Sequence, residues 1–297
     1  MILITGCTGY IGSKVAKQFL AQGKKVIGIA LPGERGSDVA VYLMEHGMKL
    51  YWYDITTAGC EYSIAEPIKQ IYHFVGIHSS LEKTKKIYVE GCRNVLELAG
   101  SKNCEFVLIA SNSAVYGSHS FTCREDEEYN PEHPFGEITC NMESLCKSYY
   151  INKRIPVVIM RIGEVYGDIT DEIKHMKKHP LHLLGDGENY TSRIHIEDLI
   201  HLVMLAQYKL KTGEIYNVSD TLPVLQKEYY TFLVNVLKLM PPIWVHEMES
   251  RRMIQSIHGL RALSIKMFPE KLIKETGYEF IYPTYREGVI NLKKFLY

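Results

Sequence analysis

The stretch Ile2-Leu3-Ile4-Thr5-Gly6-Cys7-Thr8-Gly9-Tyr10-Ile11-Gly12 decides the reading of this chain. A short apolar run leads into three glycines at three-residue spacing, and a helical pattern follows to about Gln22, with Gly23 as its stop. Glycine here permits a tight turn, lets the backbone approach a pyrophosphate and allows close helix–strand packing. The helix N-terminus supplies free N–H groups and positive dipole to the phosphates. The spacing is a variant of G-x-G-x-x-G, and its strand–turn–helix context assigns cofactor binding to Gly6, Thr8, Gly9, Tyr10, Ile11 and Gly12.

Working outward, Val26–Leu31 reads as the next strand, closed by Pro32-Gly33. Leu50–Tyr53, Gln70–Val75, Phe106–Ala110 and Val157–Arg161 read as further strands, with helical spacing over Leu81–Ala99 and Phe135–Asn152. Apolar runs without polar alternation, separated by helices, demand a parallel sheet covered on both faces. Later segments are less regular, with short strands near Leu181–Leu184 and Ile215–Asn217. Helices are expected near Ile196–Tyr208, Lys227–Leu239 and Met267–Thr276. The fold expected is α/β: a Rossmann-type doubly wound parallel sheet over residues 1–165 and a smaller mixed α/β substrate lobe over 166–297. Segments around 195–220 are expected to return to the first domain.

Composition narrows the function classes. The chain has 297 residues, 46% hydrophobic, with 34 Lys plus Arg against 34 Asp plus Glu, so charge gives no reason to expect nucleic acid or an anionic membrane as partner. Cysteines 7, 60, 92, 104, 123, 140 and 146 are odd in number and form no C-x-x-C pair, which reads as a reduced, cytoplasmic compartment. The first strand begins at Met1-Ile2, so no signal peptide is expected, and no apolar run approaches the ~20 residues that span a bilayer. The second strand ends at about Ala30, and Ala30-Leu31-Pro32-Gly33-Glu34-Arg35 offers no acid directly on the strand end to take a ribose 2′-OH. Arg35 either meets a 2′-phosphate or is a solvated loop charge, and the cofactor reading leans to NADP over NAD.

Further stretches carry a resemblance: Tyr53-Asp54-Ile55-Thr56, Val89 to Glu97, Ser113-Ala114-Val115-Tyr116-Gly117 and Arg161-Ile162-Gly163-Glu164-Val165-Tyr166-Gly167. Later come Arg193-Ile194-His195-Ile196-Glu197-Asp198-Leu199, Gly213 to Val218 and Leu272 to Tyr278. Together with the glycine loop, these make the chain resemble, nearly end to end, the extended short-chain dehydrogenase/reductases of the sugar-nucleotide epimerase and dehydratase type. The resemblance implies that Asp54 and Ile55 lie near the adenine and that Phe74-Val75-Gly76 passes under the cofactor. It also implies that residues after Tyr166 build much of the substrate lobe, and that a homodimer forms through the helices around 81–99 and 135–152.

The family's catalytic set does not carry over. The Ser/Thr expected three residues before Val115 is Asn112, and counting back from Arg161 puts Phe135 and Thr139 at the Tyr and Lys positions. A tyrosine, ordinarily of pKa ~10, works near neutrality only beside a cation, and losing such a group removes roughly 10²–10⁴-fold of proton-transfer catalysis. Tyr149–Lys153 matches Y-x-x-x-K, but lies about 14 residues along the same helix, roughly 21 Å away. Substitute acids would come from Ser111, Ser113, Tyr116, His133, Glu137 or His78. His175 and His179 have i, i+4 spacing without a third ligand, so no metal is expected. The stretch between Gly167 and Leu181 is short for the family, which argues against a large nucleotide-sugar substrate.

Two functions follow. One is an NAD(P)-binding relative that has lost the standard acid–base machinery, a pseudoenzyme or cofactor-sensing subunit. The other is an active epimerase, dehydratase or reductase acting on a small carbonyl or sugar-like substrate with a relocated proton donor.

Overall fold

Ile2–Thr5 forms β1, and every one of its four residues is buried. The other strands of its sheet are β2 (Val26–Ala30), β3 (Lys49–Trp52), β4 (Gln70–His73), β5 (Phe106–Asn112), β6 (Val157–Ile162) and β7 (Ile215–Val218). The seven lie in the order β7-β6-β5-β4-β1-β2-β3, with parallel pairing from β3 through β5. The computed structural model describes residues 1–57, 59, 64–76, 80–245 and 257–295. His78 and Cys60 lie outside the described residues.

A strand buried on both faces has no polar side to alternate with, so Leu3, Ile27, Ile71, Val107 and Ile159 all enter one apolar core. α1 (Tyr10–Ala21) buries Gly12, Val15, Ala16 and Phe19, the i, i+3, i+4, i+7 stripe of an amphipathic helix, with Ser13 beside them, and Phe19 meets the Tyr72 ring of β4 at 5.0 Å between centroids. The expected Leu81–Ala99 helix is interrupted. Leu81–Lys86 is α-helical, Ile87–Gly91 widens into a π turn and Cys92–Ser101 resumes the α-helix. A Cβ on Gly91 would come within 2.8 Å of Ile55 Cδ1, so the turn packs closely against the Ile55 side chain, which would have to shift to admit a larger residue.

Three helices escaped the sequence reading: Asp38–Glu45, Asp171–Met176 and Tyr285–Leu292. Each has a readable start signal, since Ser37, Thr170 and Thr284 side chains cap them and Thr284-x-x-Glu287 is a capping box.

Two compact units emerge. One comprises Met1–Ser111, Ile138–Met160 and Leu202–Ile215, and the other Asn112–Glu137, Arg161–His201 and Tyr216–Tyr297. In the second, Arg193–His195 pairs in parallel with Glu164–Tyr166, and Tyr166, Tyr229, Tyr230 and Tyr285 join its core. Three stretches quoted above meet there in one buried network. Arg161 Nη1 donates to Tyr116 Oη (2.8 Å), Tyr116 Oη donates to Asn217 Oδ1 (2.7 Å), and Asn217 Nδ2 donates to the Cys123 carbonyl (3.1 Å). Asp198 likewise ties its helix to the C-terminal segment by accepting from Tyr278 Oη and from the Ile281 and Tyr282 amides.

Candidate dinucleotide site

The sheet order reverses between β1 and β4, where the chain turns from building one side to building the other. In open α/β sheets a ligand crevice forms at the carboxyl ends of strands at that point. Gly6 follows β1 with φ +69°, and a Cβ there would lie 2.9 Å from the Phe74 carbonyl after β4. At Gly12 a Cβ would lie 2.2 Å from the Gly6 carbonyl oxygen. The loop therefore closes only with glycine at both points.

A cavity of about 460 Å³ opens here, lined by Gly6, Thr8, Gly9, Asp54, Ile55, Phe74, Val75 and Gly76 among others. Tyr10, Ile11 and Gly12 make the first turn of α1, whose N-cap, Gly9, brings no side chain to its amides and whose first turn holds no acid. The start of a helix offers an anion amide donors and the positive end of its dipole. Asp54 Oδ1 accepts from the Thr56 amide, and Asn94 Nδ2 donates to the Ile55 carbonyl (2.7 Å), fixing the loop at that wall.

The sequence reading missed Glu34. The 3₁₀ turn Pro32–Glu34 curls it back after β2, where its Oε2 accepts from Thr8 Oγ1 (2.7 Å) and from the Leu31 amide (3.0 Å), and the residue lines the cavity. Pro32-Gly33 in front of an acid was the available signal. Arg35 is not among the lining residues, and its guanidinium lies over the Trp52 ring, 5.2 Å from the centroid. Lys83 and Lys86 also line the cavity.

Beneath it, His73 at the end of β4 shares a 2.6 Å hydrogen bond through Nδ1 with Thr5 Oγ1 at the end of β1. Burial pushes the imidazole down to about 4. A depressed folded-state pKa means that the unfolded chain takes the proton first. The stabilising contribution is thus complete above the unfolded value near 6.5 and is lost as pH falls toward 4. About 3 kcal/mol is at stake for a shift of this size. The variant His73→Asn is expected to flatten the fall in melting temperature between pH 6.5 and 4, and an unchanged profile would contradict the assignment.

At the positions where the family's catalytic groups are expected, Asn112 Oδ1 accepts from the Ala114 amide (3.0 Å), while Phe135 and Thr139 are buried, one turn apart on the helix Pro134–Lys153. Phe135 stacks on His133 with centroids 5.4 Å apart, and its amide donates to His133 Nδ1 (3.2 Å), which leaves the ring proton of the neutral imidazole on Nε2. Ser111 Oγ donates to the buried Glu143 carboxylate (2.5 Å). Tyr116 is committed to the Arg161–Asn217 network, and burial pushes its hydroxyl up. Ser113 opens the 3₁₀ turn Ser113–Val115, and Glu137 is exposed in the first turn of its helix.

The Tyr149/Lys153 pair is held by one carboxylate, Glu97, at 2.5 and 2.6 Å. Burial and that carboxylate both raise the tyrosine's pKa. His175 and His179 have rings 5.1 Å apart, and no group of three potential metal ligands occurs among the described residues. Among those residues no helix is long and apolar enough to cross a membrane.

Comparison with known proteins places this geometry. Residues 2–219 match the NAD dependent epimerase/dehydratase family. The chain belongs to that family. It is 28% identical over 221 residues to an uncharacterized UDP-glucose epimerase of Bacillus subtilis (strain 168), covering 67% of this chain and 70% of that protein. It is 26% identical over 222 residues to UDP-glucuronic acid decarboxylase 1 of Arabidopsis thaliana, covering 67% and 50%. The matched segment thus spans from 50% to 70% of these relatives' length. Among solved structures, a Streptomyces venezuelae dTDP-glucose 4,6-dehydratase with NAD bound superposes with a TM-score of 0.82 at 21% identity, covering 99% of this chain and 95% of that one. A UDP-glucuronic acid 4-epimerase from Bacillus cereus, in complex with UDP-glucuronic acid and NAD, gives 0.81 at 22%, covering 100% and 99%. At such identity these two likenesses speak for the fold alone.

Proposed function

We propose that this family member binds NAD in the glycine-loop cavity and does not carry out the family's standard proton-coupled hydride chemistry. The observation that carries the reading is the pair Phe135 and Thr139, one turn apart on one helix and buried. Phe135 has no exchangeable proton and Thr139 no charge with which to lower a neighbour's pKa.

The cavity suits a dinucleotide. Gly6 and Gly9 leave backbone room for a pyrophosphate, the N-terminus of α1 supplies amides, and Asp54-Ile55 flank the adenine position. A bound nicotinamide supplies hydride acceptance or donation. Glu34 supports NAD over NADP, because its carboxylate favours a ribose hydroxyl and repels a 2′-phosphate. With Arg35 stacked on Trp52, the cation that favoured NADP in the sequence lies off the cavity wall.

Calorimetric titration is expected to give tighter binding for NAD than for NADP, and Glu34→Gln is expected to narrow that gap. UDP- and dTDP-sugars added to the NAD-loaded protein are expected to leave the nicotinamide absorbance unchanged. Sustained turnover would sink the non-catalytic reading and favour a second one, in which His133, with its proton on Nε2, is the relocated donor. Under that reading His133→Asn abolishes the turnover.

A further inference from the structure

Lys83 and Lys86 are exposed residues, three apart on one face of the short helix Leu81–Lys86, and both line the dinucleotide cavity. The helix is anchored by Ser80, which caps the Lys83 amide, and by the buried Thr84, whose Oγ1 donates to the Ser80 carbonyl (2.9 Å). No carboxylate of the described residues pairs with either ammonium group. The two acids of the same cavity make no ion pair with either lysine: Glu34 accepts from Thr8 and the Leu31 amide, and Asp54 from the Thr56 amide. Lys83 and Lys86 therefore stand at the cavity wall without an acidic partner among the described residues, two ammonium groups open to an anion that adenosine by itself does not supply.

We infer that Lys83 and Lys86 form a cationic arm that holds the pyrophosphate of the bound dinucleotide, so that the site selects diphosphate esters of adenosine and retains ADP alone. This rests on the cavity being a dinucleotide site. Lys85, between them on another face, does not line the cavity and is the internal control.

The test is calorimetry of wild type, Lys83→Ala/Lys86→Ala and Lys85→Ala with NAD, ADP and adenosine, at low and high NaCl. The double variant is expected to bind NAD and ADP about tenfold more weakly at low salt and adenosine within about twofold of wild type, with a shallower salt dependence because exposed charges are screened. Lys85→Ala is expected to match wild type. Double-variant binding of NAD within twofold of wild type overturns the inference while leaving the dinucleotide reading intact. So does an equal loss for adenosine and ADP, which marks a distorted helix. A wild type that binds neither NAD nor ADP overturns the dinucleotide reading itself.

Discussion

Replacing Gly12 with alanine is expected to abolish measurable NAD binding and to destabilise the protein. The added Cβ would stand 2.2 Å from the Gly6 carbonyl oxygen and 2.9 Å from its carbonyl carbon. Both are backbone atoms of a loop pinned between β1 and Phe74, so no side chain can swing aside. Overpacking of this kind costs about 1–3 kcal/mol. Relief requires α1 to move off the strand, which takes its N-terminal amides out of place. Calorimetry with NAD reads the binding and urea denaturation the stability. Gly33→Ala is the matched control for stability, since a Cβ there meets nothing within 4 Å. If Gly12→Ala bound NAD like wild type, the loop would be structural only.

Arg193→Met is expected to destabilise the second unit by about 3 kcal/mol, the scale for breaking a buried ion pair from one side. Arg193 is 3% exposed, its guanidinium lies 3.4 Å from the Tyr229 ring centroid, and Nη2 is 2.7 Å from Glu164 Oε2. That approach is close but oblique, so the pairing is Coulombic more than a hydrogen bond. Methionine keeps most of the volume and removes the charge. Glu164 is left with the longer contact to Arg261 Nε (3.3 Å), and Arg261 is already held by Glu172 (2.6 Å). Burial alone would push the Glu164 carboxyl up, and the two arginines more than offset it, holding the group below the usual carboxylate range. A depressed acid stabilises above its unfolded pKa and loses that contribution as pH falls. The gap between Arg193→Met and wild type should therefore be widest near neutrality and shrink in acid. Adding Glu164→Gln to the variant should recover part of the loss. A loss under about 0.5 kcal/mol for the single variant, the range of ordinary surface substitutions, would mean that Arg261 alone balances Glu164.

Glu34 illustrates what sequence reading cannot reach. Strand-end acids are sought directly after β2, and here the acid lies four residues beyond Ala30. Only the Pro32–Glu34 turn and the hydroxyl of Thr8, 26 residues away, bring it to the cavity. Tyr149 and Lys153 show the reverse case. Their spacing satisfies a catalytic pattern, yet Glu97 from another helix occupies both groups.

By itself the sequence determined the strand–loop–helix at the N-terminus and the alternation of buried strands with helices, and it put Asn112, Phe135 and Thr139 where the family's catalytic groups are expected. Those features are local: glycine's missing Cβ, two-faced burial of a strand and helical spacing all act within a few residues, and so leave a pattern in the chain. The tertiary structure alone decided which charges matter. Glu34 turned inward, Arg35 moved onto Trp52, Lys83 and Lys86 faced the cavity, and Arg193 was neutralised by Glu164. The reason is that a charge acquires its role from partners and desolvation set by distant segments, and neither is written in the residues beside it.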